Sequence, residues 1–494
     1  MIVHGSCTCT ILAPTRVGHT SAVHDRVHYP RLTTADLGCY EKPLTDFSIV
    51  NVALATIQRE FGVSAADLQW IVTGYALPFG ALLLLGGRLG DLTGHRRLLV
   101  TGLALFGVTS LVAGLAPDSV VLIAARFAQG ASAALVAPMT LAAVTDLYQD
   151  APGRARALGI FQGATAAGAS AGIVLGGILT EFVGWRAIFL VNPPVIIVLV
   201  AAIIRLLPAD HAGARGPGDR PRPDVAGALL VTASVAALIF GLSQGQQRGF
   251  AAPLTLVSLV VAVVLGAAFV AVERRAPAPM VPLAVLADQA RRVALSVMFA
   301  VSAVIVGYVY FVTLYMQKVL HFSALQAGLG LLPATLTVMA ASILLARRLL
   351  ARFGALPVFV TALVSIGLGQ VCLSRLSVSG SYPVNVLPGV VLTAFGMGLL
   401  FPTAAGLVTA GVSAGDRGLA GGLFAAAQQV GFAVGLAVLA TVAAARTRAG
   451  HGLTASGALV SGYQEAYLLG AGIVTCALIV TLVFLRASHP AGQE

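Results

Sequence analysis

Apolar residues in this chain fall into unbroken runs of roughly twenty, the length a helix needs to cross a bilayer. Between the runs lie short connections that carry most of the arginine. Thirteen runs are expected as spanning helices, near 70–90, 98–116, 120–143, 156–178, 185–204, 225–243, 253–273, 293–316, 325–345, 355–374, 386–409, 418–445 and 466–486. A fourteenth, at the start, is short, from Phe47 to Ile57. A strand of a membrane barrel needs only about ten alternating residues, so unbroken runs of this length predict helices.

Composition agrees. The chain is 58% hydrophobic and 10% charged, with a mean hydropathy of +0.92. Soluble domains are roughly 25% charged, because a wetted surface needs polar cover. The net charge of +11 would suit a nucleic-acid binder. Its placement argues instead for topology. Seventeen basic residues fall on one side of the expected hairpins: Arg88, Arg96, Arg97, Arg154, Arg156, Arg205, Arg215, Arg220, Arg222, Arg274, Arg275, Arg291, Arg292, Arg347, Arg348, Arg352 and Arg417. Seven fall on the other: Arg59, Arg186, Arg248, Lys318, Arg375, Arg446 and Arg448. The positive-inside rule places the rich side in the cytoplasm, facing anionic lipid, with both termini inside for fourteen helices. The expected location is the cell membrane, and nucleic acid is not an expected partner.

Residues 64–97 and 323–354 resemble one another. Each opens with Ser-Ala near a glutamine, runs through one apolar helix and ends in an arginine-bearing loop with a glycine. Ser64 to Arg88 and Ser323 to Arg347 are both 24 residues. A repeated half is the usual plan of secondary transporters. It divides the chain into an atypical segment 1–45, a first half 46–207 (spans one to six), a linker 208–224 and inserted spans seven and eight at 225–273. A loop 274–292, a second half 293–486 (spans nine to fourteen) and a tail 487–494 follow.

Ionisable groups inside a bilayer are costly and mark function. Arg126 lies within span four. It either snorkels to outer headgroups or stands as a buried cation facing the cavity, paired with a carboxylate or an anionic substrate state. Asp46 opens span one and is either a helix cap or a proton carrier. Together Asp46 and Arg126 are the expected coupling pair, with Arg126 stabilising the unprotonated acid. Asp91, with Gly87, Gly94, Arg96 and Arg97, forms a short loop expected to act as a conformational gate. Gly168, Gly172 and Gly176, with Gly177, leave a bare stripe along span five that serves close packing or sliding. Asn51, Gln69, Tyr75, Gln129, Gln162, Asn192, Gln428 and Gln429 are candidate cavity lining. No catalytic triad or metal cluster is present in the sequence, so neither an enzyme nor a cofactor is expected. Cys7 and Cys9 with His4 fall short of a closed zinc site.

The motifs taken together resemble the fourteen-helix drug:proton antiporters of the major facilitator superfamily. The run DFSIVNVAL from Asp46 resembles their first-helix motif, with Ala55 where a proline is usual. Gln69, Trp70 and Tyr75 resemble the second-helix entrance. The 87–97 loop resembles the superfamily's hallmark loop, with Leu92 in place of a basic residue. Arg126-Phe-Ala-Gln129-Gly130 resembles the fourth-helix motif. Gly172 to Gly177 resembles the antiporter motif, with Ile173 where a proline is usual. Trp185-Arg186 with Phe189, Asn192 and Pro193, then Glu273-Arg274-Arg275, then Arg417-Gly418, also match. The resemblance runs from Asp46 to the C-terminus. It implies an all-α polytopic membrane protein with the major facilitator fold, two six-helix halves plus two inserted helices.

It also implies proton-driven efflux of apolar or cationic drugs by a functional monomer, with protons, substrate and membrane lipids as partners. The alternative is a proton-coupled or facilitated importer of a sugar, amino acid or organic acid. The cavity candidates are mostly amides and small residues, which favours apolar substrates. Residues 1–45 depart from the pattern, since span one lacks its apolar first half. A shifted or mis-started reading frame would account for this.

Overall fold

The computed structural model describes residues 56–58, 60–62, 65–147, 182–206, 224–276, 283–413, 416–449 and 454–486. It also describes 153, 156–161, 168, 172, 179, 180, 279 and 281. Among the described residues every regular element is helical, and twelve helices are long and apolar enough to cross a membrane. We number them α1 (Ala65–Thr93), α2 (His95–Gly114), α3 (Ser119–Leu147), α4 (Asn192–Leu206), α5 (Val225–Arg248) and α6 (Pro253–Glu273). There follow α7 (Gln289–Lys318), α8 (Gln326–Phe353), α9 (Ala355–Leu373), α10 (Leu387–Thr409), α11 (Arg417–Ala449) and α12 (Ala455–Arg486). Helices α1 to α3 are the expected spans two to four, α4 is span six, and α5 to α12 are spans seven to fourteen. Span one and most of span five fall outside the described residues.

Most boundaries lie within a few residues of those read from hydropathy. The largest departure is α12, which begins at Ala455 rather than near 466; α8 also runs on to Phe353 rather than 345, and α4 starts at Asn192 rather than 185. The first turns of α12 carry Gln464 and Glu465, which dilute the apolar run. Packing holds them helical. Tyr463 and Tyr467 are buried against Phe311 of α7, and Gln464 donates to the Leu376 carbonyl at 2.6 Å.

Two glycines show the repeat in the backbone. Gly94 joins α1 to α2 with φ at 105°, and Gly354 joins α8 to α9 with φ at 77°. Both lie in the left-handed region, where a side chain is strained, so each hairpin turns at once without a loop. Gly94 and Gly354 fall within one residue of the same place in the two similar stretches, 30 residues after Ser64 and 31 after Ser323.

The first half packs α1 and α2 against α3, and α4 against α2. In the second half α7 packs on α11 and α12, and α9 on α10 and α12. The hairpin α5–α6 lies to one side. Helix α5 packs on both α1 and α11, while α6 leans chiefly on α5. The outer face of α6, with Leu256, Val260, Val263 and Val264, is exposed apolar surface that suits lipid.

Small residues set the closest crossings. At Gly435 of α11 a methyl group would come within 2.2 Å of the Ala303 backbone of α7. Gly472 of α12 has open space around it. Gly435→Val should therefore cost about 1–3 kcal/mol through overpacking, seen as a lowered thermal transition in detergent. Gly472→Ala should be neutral or slightly stabilising, because alanine is the better helix former.

Candidate functional site

The hallmark loop joins the end of α1 to the start of α11. Asp91 stands in the last turn of α1, and its side chain is 1% exposed. Its two oxygens accept from the first amides of α11: Gly418 N at 2.8 Å and Leu419 N at 2.9 Å. Those amides have no partner within their own helix, and the helix dipole favours a negative charge there. His95 Nε2 lies 3.0 Å from the same Oδ1. Beside them Arg88 forms an ion pair with Asp416 at 3.3 Å. Gly87 makes the approach possible. A methyl group on it would lie 2.5 Å from the Gly418 carbonyl oxygen, and one on Gly418 would lie 2.5 Å from the Gly87 oxygen. Arg96 donates to the Ile204 carbonyl at the end of α4 at 2.6 Å. Arg97 is exposed in the first turn of α2.

A second close crossing joins the halves. A methyl group on Gly159, in the stretch of span five that is described, would lie 2.3 Å from the Ser342 carbonyl oxygen of α8. Gly168 and Gly172 are helical, and Gly172 is buried. Gly176 and Gly177 lie outside the described residues.

Arg126 is fully buried within the first half. The snorkelling alternative is excluded by that burial. Its Nε donates to the Ile71 carbonyl of α1 at 3.0 Å, and Nη1 donates to Gln129 Oε1 at 2.7 Å. Gln129 Nε2 donates to Ser110 Oγ of α2 at 2.7 Å, and Asn192 Nδ2 of α4 reaches the same hydroxyl at 3.4 Å. The guanidinium lies 4.4 Å from the centre of the Tyr75 ring and 5.9 Å from that of Phe189. Amide, hydroxyl and aromatic faces thus surround a charge that would otherwise be costly in the membrane interior. Tyr75 and Gln129, expected as cavity lining, are buried against Arg126, and Asn192 is buried against Ser110 beside them. Ser110 has no sequence signal, because a serine in an apolar helix is common.

Gln428 and Gln429 lie elsewhere, half-buried in mid-α11. Gln429 faces α1, with its Cγ 3.3 Å from where a methyl on Gly80 would sit. Asp46, Asn51 and Gln162 lie outside the described residues, as does the side chain of Gln69. The Asp46–Arg126 pairing therefore stays an expectation. Trp70 of α1 stacks between Phe127 of α3 at 6.1 Å and Phe240 of α5 at 6.0 Å. Phe240 was not foreseen, since nothing in its local run marks it.

The opposite end of the first half is tied by Glu60. It accepts from Trp185 Nε1 at 2.6 Å and from Arg186 Nη1, while Arg186 Nη2 donates to the Ala116 carbonyl at 3.1 Å. The hydrogen bond from Arg186, then that from Trp185, holds the Glu60 carboxyl below the usual carboxylate range. The tie therefore stays charged as the surroundings acidify toward that range.

Asparagine at position 91 can accept from only one of the two α11 amides. Asp91→Asn should leave insertion intact, cost about 1–3 kcal/mol at the closed end for the orphaned amide, and abolish transport. The checks are the amount of folded protein in membranes and the transport rate in reconstituted vesicles.

Comparison with known proteins follows the same lines. The family model described as Major Facilitator Superfamily matches residues 44–436. The puromycin resistance protein pur8 of Streptomyces alboniger is 34% identical, with 91% of this chain and 90% of that protein covered. The cephamycin export protein CmcT of Amycolatopsis lactamdurans is 38% identical, with 90% and 91% covered. Among solved structures, the human organic anion transporter MFSD10 (TETRAN) superposes with a TM-score of 0.62 at 16% identity, covering 91% of this chain and 98% of that one. The proton:xylose symporter XylE superposes with a TM-score of 0.61 at 14% identity, covering 92% and 95%. The chain is a multi-pass membrane transporter of small substrates and belongs to the major facilitator superfamily.

Proposed function

We propose that this protein exports apolar or cationic antibiotics from the cell, driven by protons moving inward, by alternating access. The observation that carries the reading is the Asp91 contact, a charged bridge from the end of α1 to the first amides of α11, with the Arg88–Asp416 ion pair beside it. Such a bridge closes one end while the other opens. The names of the relatives support a drug as cargo, since they concern puromycin resistance and cephamycin export. The aromatic stack around Trp70 suits an apolar or cationic molecule.

Coupling needs an acid that is charged on one side and neutral on the other. The membrane potential offers about 2.3 kcal/mol per elementary charge per 100 mV, and only a titratable group collects the proton. In this reading Asp46 is that group and Arg126 stabilises its charged form. A cationic substrate competes with the proton for the same carboxylate. The chain works as a monomer of fourteen helices, with both termini and the 208–223 linker in the cytoplasm and lipid around the inserted pair.

The test is substrate accumulation in energised cells. An exporter lowers accumulation, and an uncoupler restores it; an importer gives the reverse. Purified native protein should release protons when substrate is added, and Asp46→Asn should not. Equal release by the variant would move the coupling role to another acid.

A further inference from the structure

The inserted hairpin holds two neighbouring acids, Glu273 buried and Asp224 partly buried, that the transport reading does not use. Asp224 precedes α5, and its Oδ1 caps that helix by accepting from Gly227 N at 2.8 Å. Glu273 ends α6, is 6% exposed, and accepts through Oε1 from the Val281 amide. The remaining oxygens, Asp224 Oδ2 and Glu273 Oε2, are both buried and have no hydrogen-bond donor among the described residues. They converge on one point. A methyl group on Gly227 would lie 2.3 Å from Asp224 Oδ2 and 2.9 Å from Glu273 Oε2.

Two ionised oxygens cannot face each other in a buried place without a proton or a cation between them. The surroundings decide between these. The 279–287 segment contributes apolar side chains, including Val281, Val285 and Leu286. No group of three or more His, Cys, Asp or Glu able to hold a metal occurs among the described residues. Two shared oxygens suffice for a proton and are few for a metal ion. Val281 and Val285 share one cluster with Leu419 of α11, and Leu84 and Leu85 of α1 pack on it, which brings this segment to the end where Arg88 meets Asp416; Arg274 and Arg275 stand just beyond α6. At the start of α11 stand Asp416, the partner of Arg88, and Arg417.

We propose that Asp224 and Glu273 together hold one proton, and that this site on the inserted hairpin controls how firmly Arg88 is held at the gate. With the proton in place, Arg88 stays on Asp416, since Asp91 nearby is already engaged by the amides of Gly418 and Leu419. When the proton leaves to water at the arginine-rich end, the pair gains a negative charge. Arg88 is then drawn from Asp416 toward Glu273, and the contact between α1 and α11 loosens. The hairpin is well placed for this, because α5 packs on both of those helices.

The test uses the full-length protein in lipid, without substrate, so that it is independent of what is transported. Infrared titration should show one protonated carboxyl at neutral pH that is lost as pH rises. Glu273→Gln and Asp224→Asn should each remove that same band. Asparagine still caps a helix, so Asp224→Asn carries the test if Glu273→Gln fails to insert. A band of full intensity in both variants, or two bands each lost with one variant, overturns the shared proton. Loss of the band on adding Mg2+ at constant pH overturns it in favour of a cation site. Spin labels at the neighbouring ends of α1 and α11 should separate with rising pH in the native chain and stay fixed in Glu273→Gln. An unchanged pH response in that variant overturns the link to the gate.

Discussion

One carboxylate on two amides holds the closed end together. Asp91 comes from the first half, and the amides of Gly418 and Leu419 belong to the second. The bond is strong because it is charged, shielded from water and aligned with the dipole of a long helix. Each charge-assisted hydrogen bond contributes about 1.5–3 kcal/mol. The sum is a few kcal/mol, comparable to what one or two charges gain across a membrane potential. A contact of that size can keep a transporter shut and still be broken in every cycle. The glycines at 87 and 418 let the two backbones touch at this point.

The repeat gives this contact a counterpart. If spans one to six correspond to spans nine to fourteen, span two maps onto span ten and span five onto span thirteen. The crossing of spans two and thirteen, at Gly87 and Gly418, then maps onto a crossing of spans ten and five. Gly159 against Ser342 is such a crossing. These two crossings are built alike, with a glycine of one helix on a carbonyl of the other. Asp91 adds a charge to one of them only, which makes the two unequal in strength. The matching turn at the end of α8 has no aspartate at the corresponding place; aligned on Arg88 and Arg347, Leu350 stands where Asp91 does.

Much of this was legible in the residues. Hydropathy locates the twelve described helices because a bilayer demands length and apolarity together. Gly94 and Asp91 were legible because a tight hairpin needs one and a helix end welcomes the other. Arg126 was legible because a charge in an apolar run is rare. What answers these residues was not legible. Ser110, Phe240 and Asp416 come from helices remote in sequence, and each is an ordinary residue in its own run. The early start of α12 was hidden for a related reason. Its polar first turns are held by tertiary contacts with α7 and the Leu376 carbonyl, which hydropathy does not see. The acid pair of Asp224 and Glu273 was hidden because fifty residues of hairpin separate its members.

Hydrogen–deuterium exchange at the first turn of α11 tests the central interaction most directly. In the native chain the amides of Gly418 and Leu419 should exchange slowly, since they are buried and bonded to Asp91. In Asp91→Ala they should exchange many times faster, while the middle of α11 keeps its protection. Equal protection of that turn in both proteins would mean that something other than the carboxylate holds the two halves together.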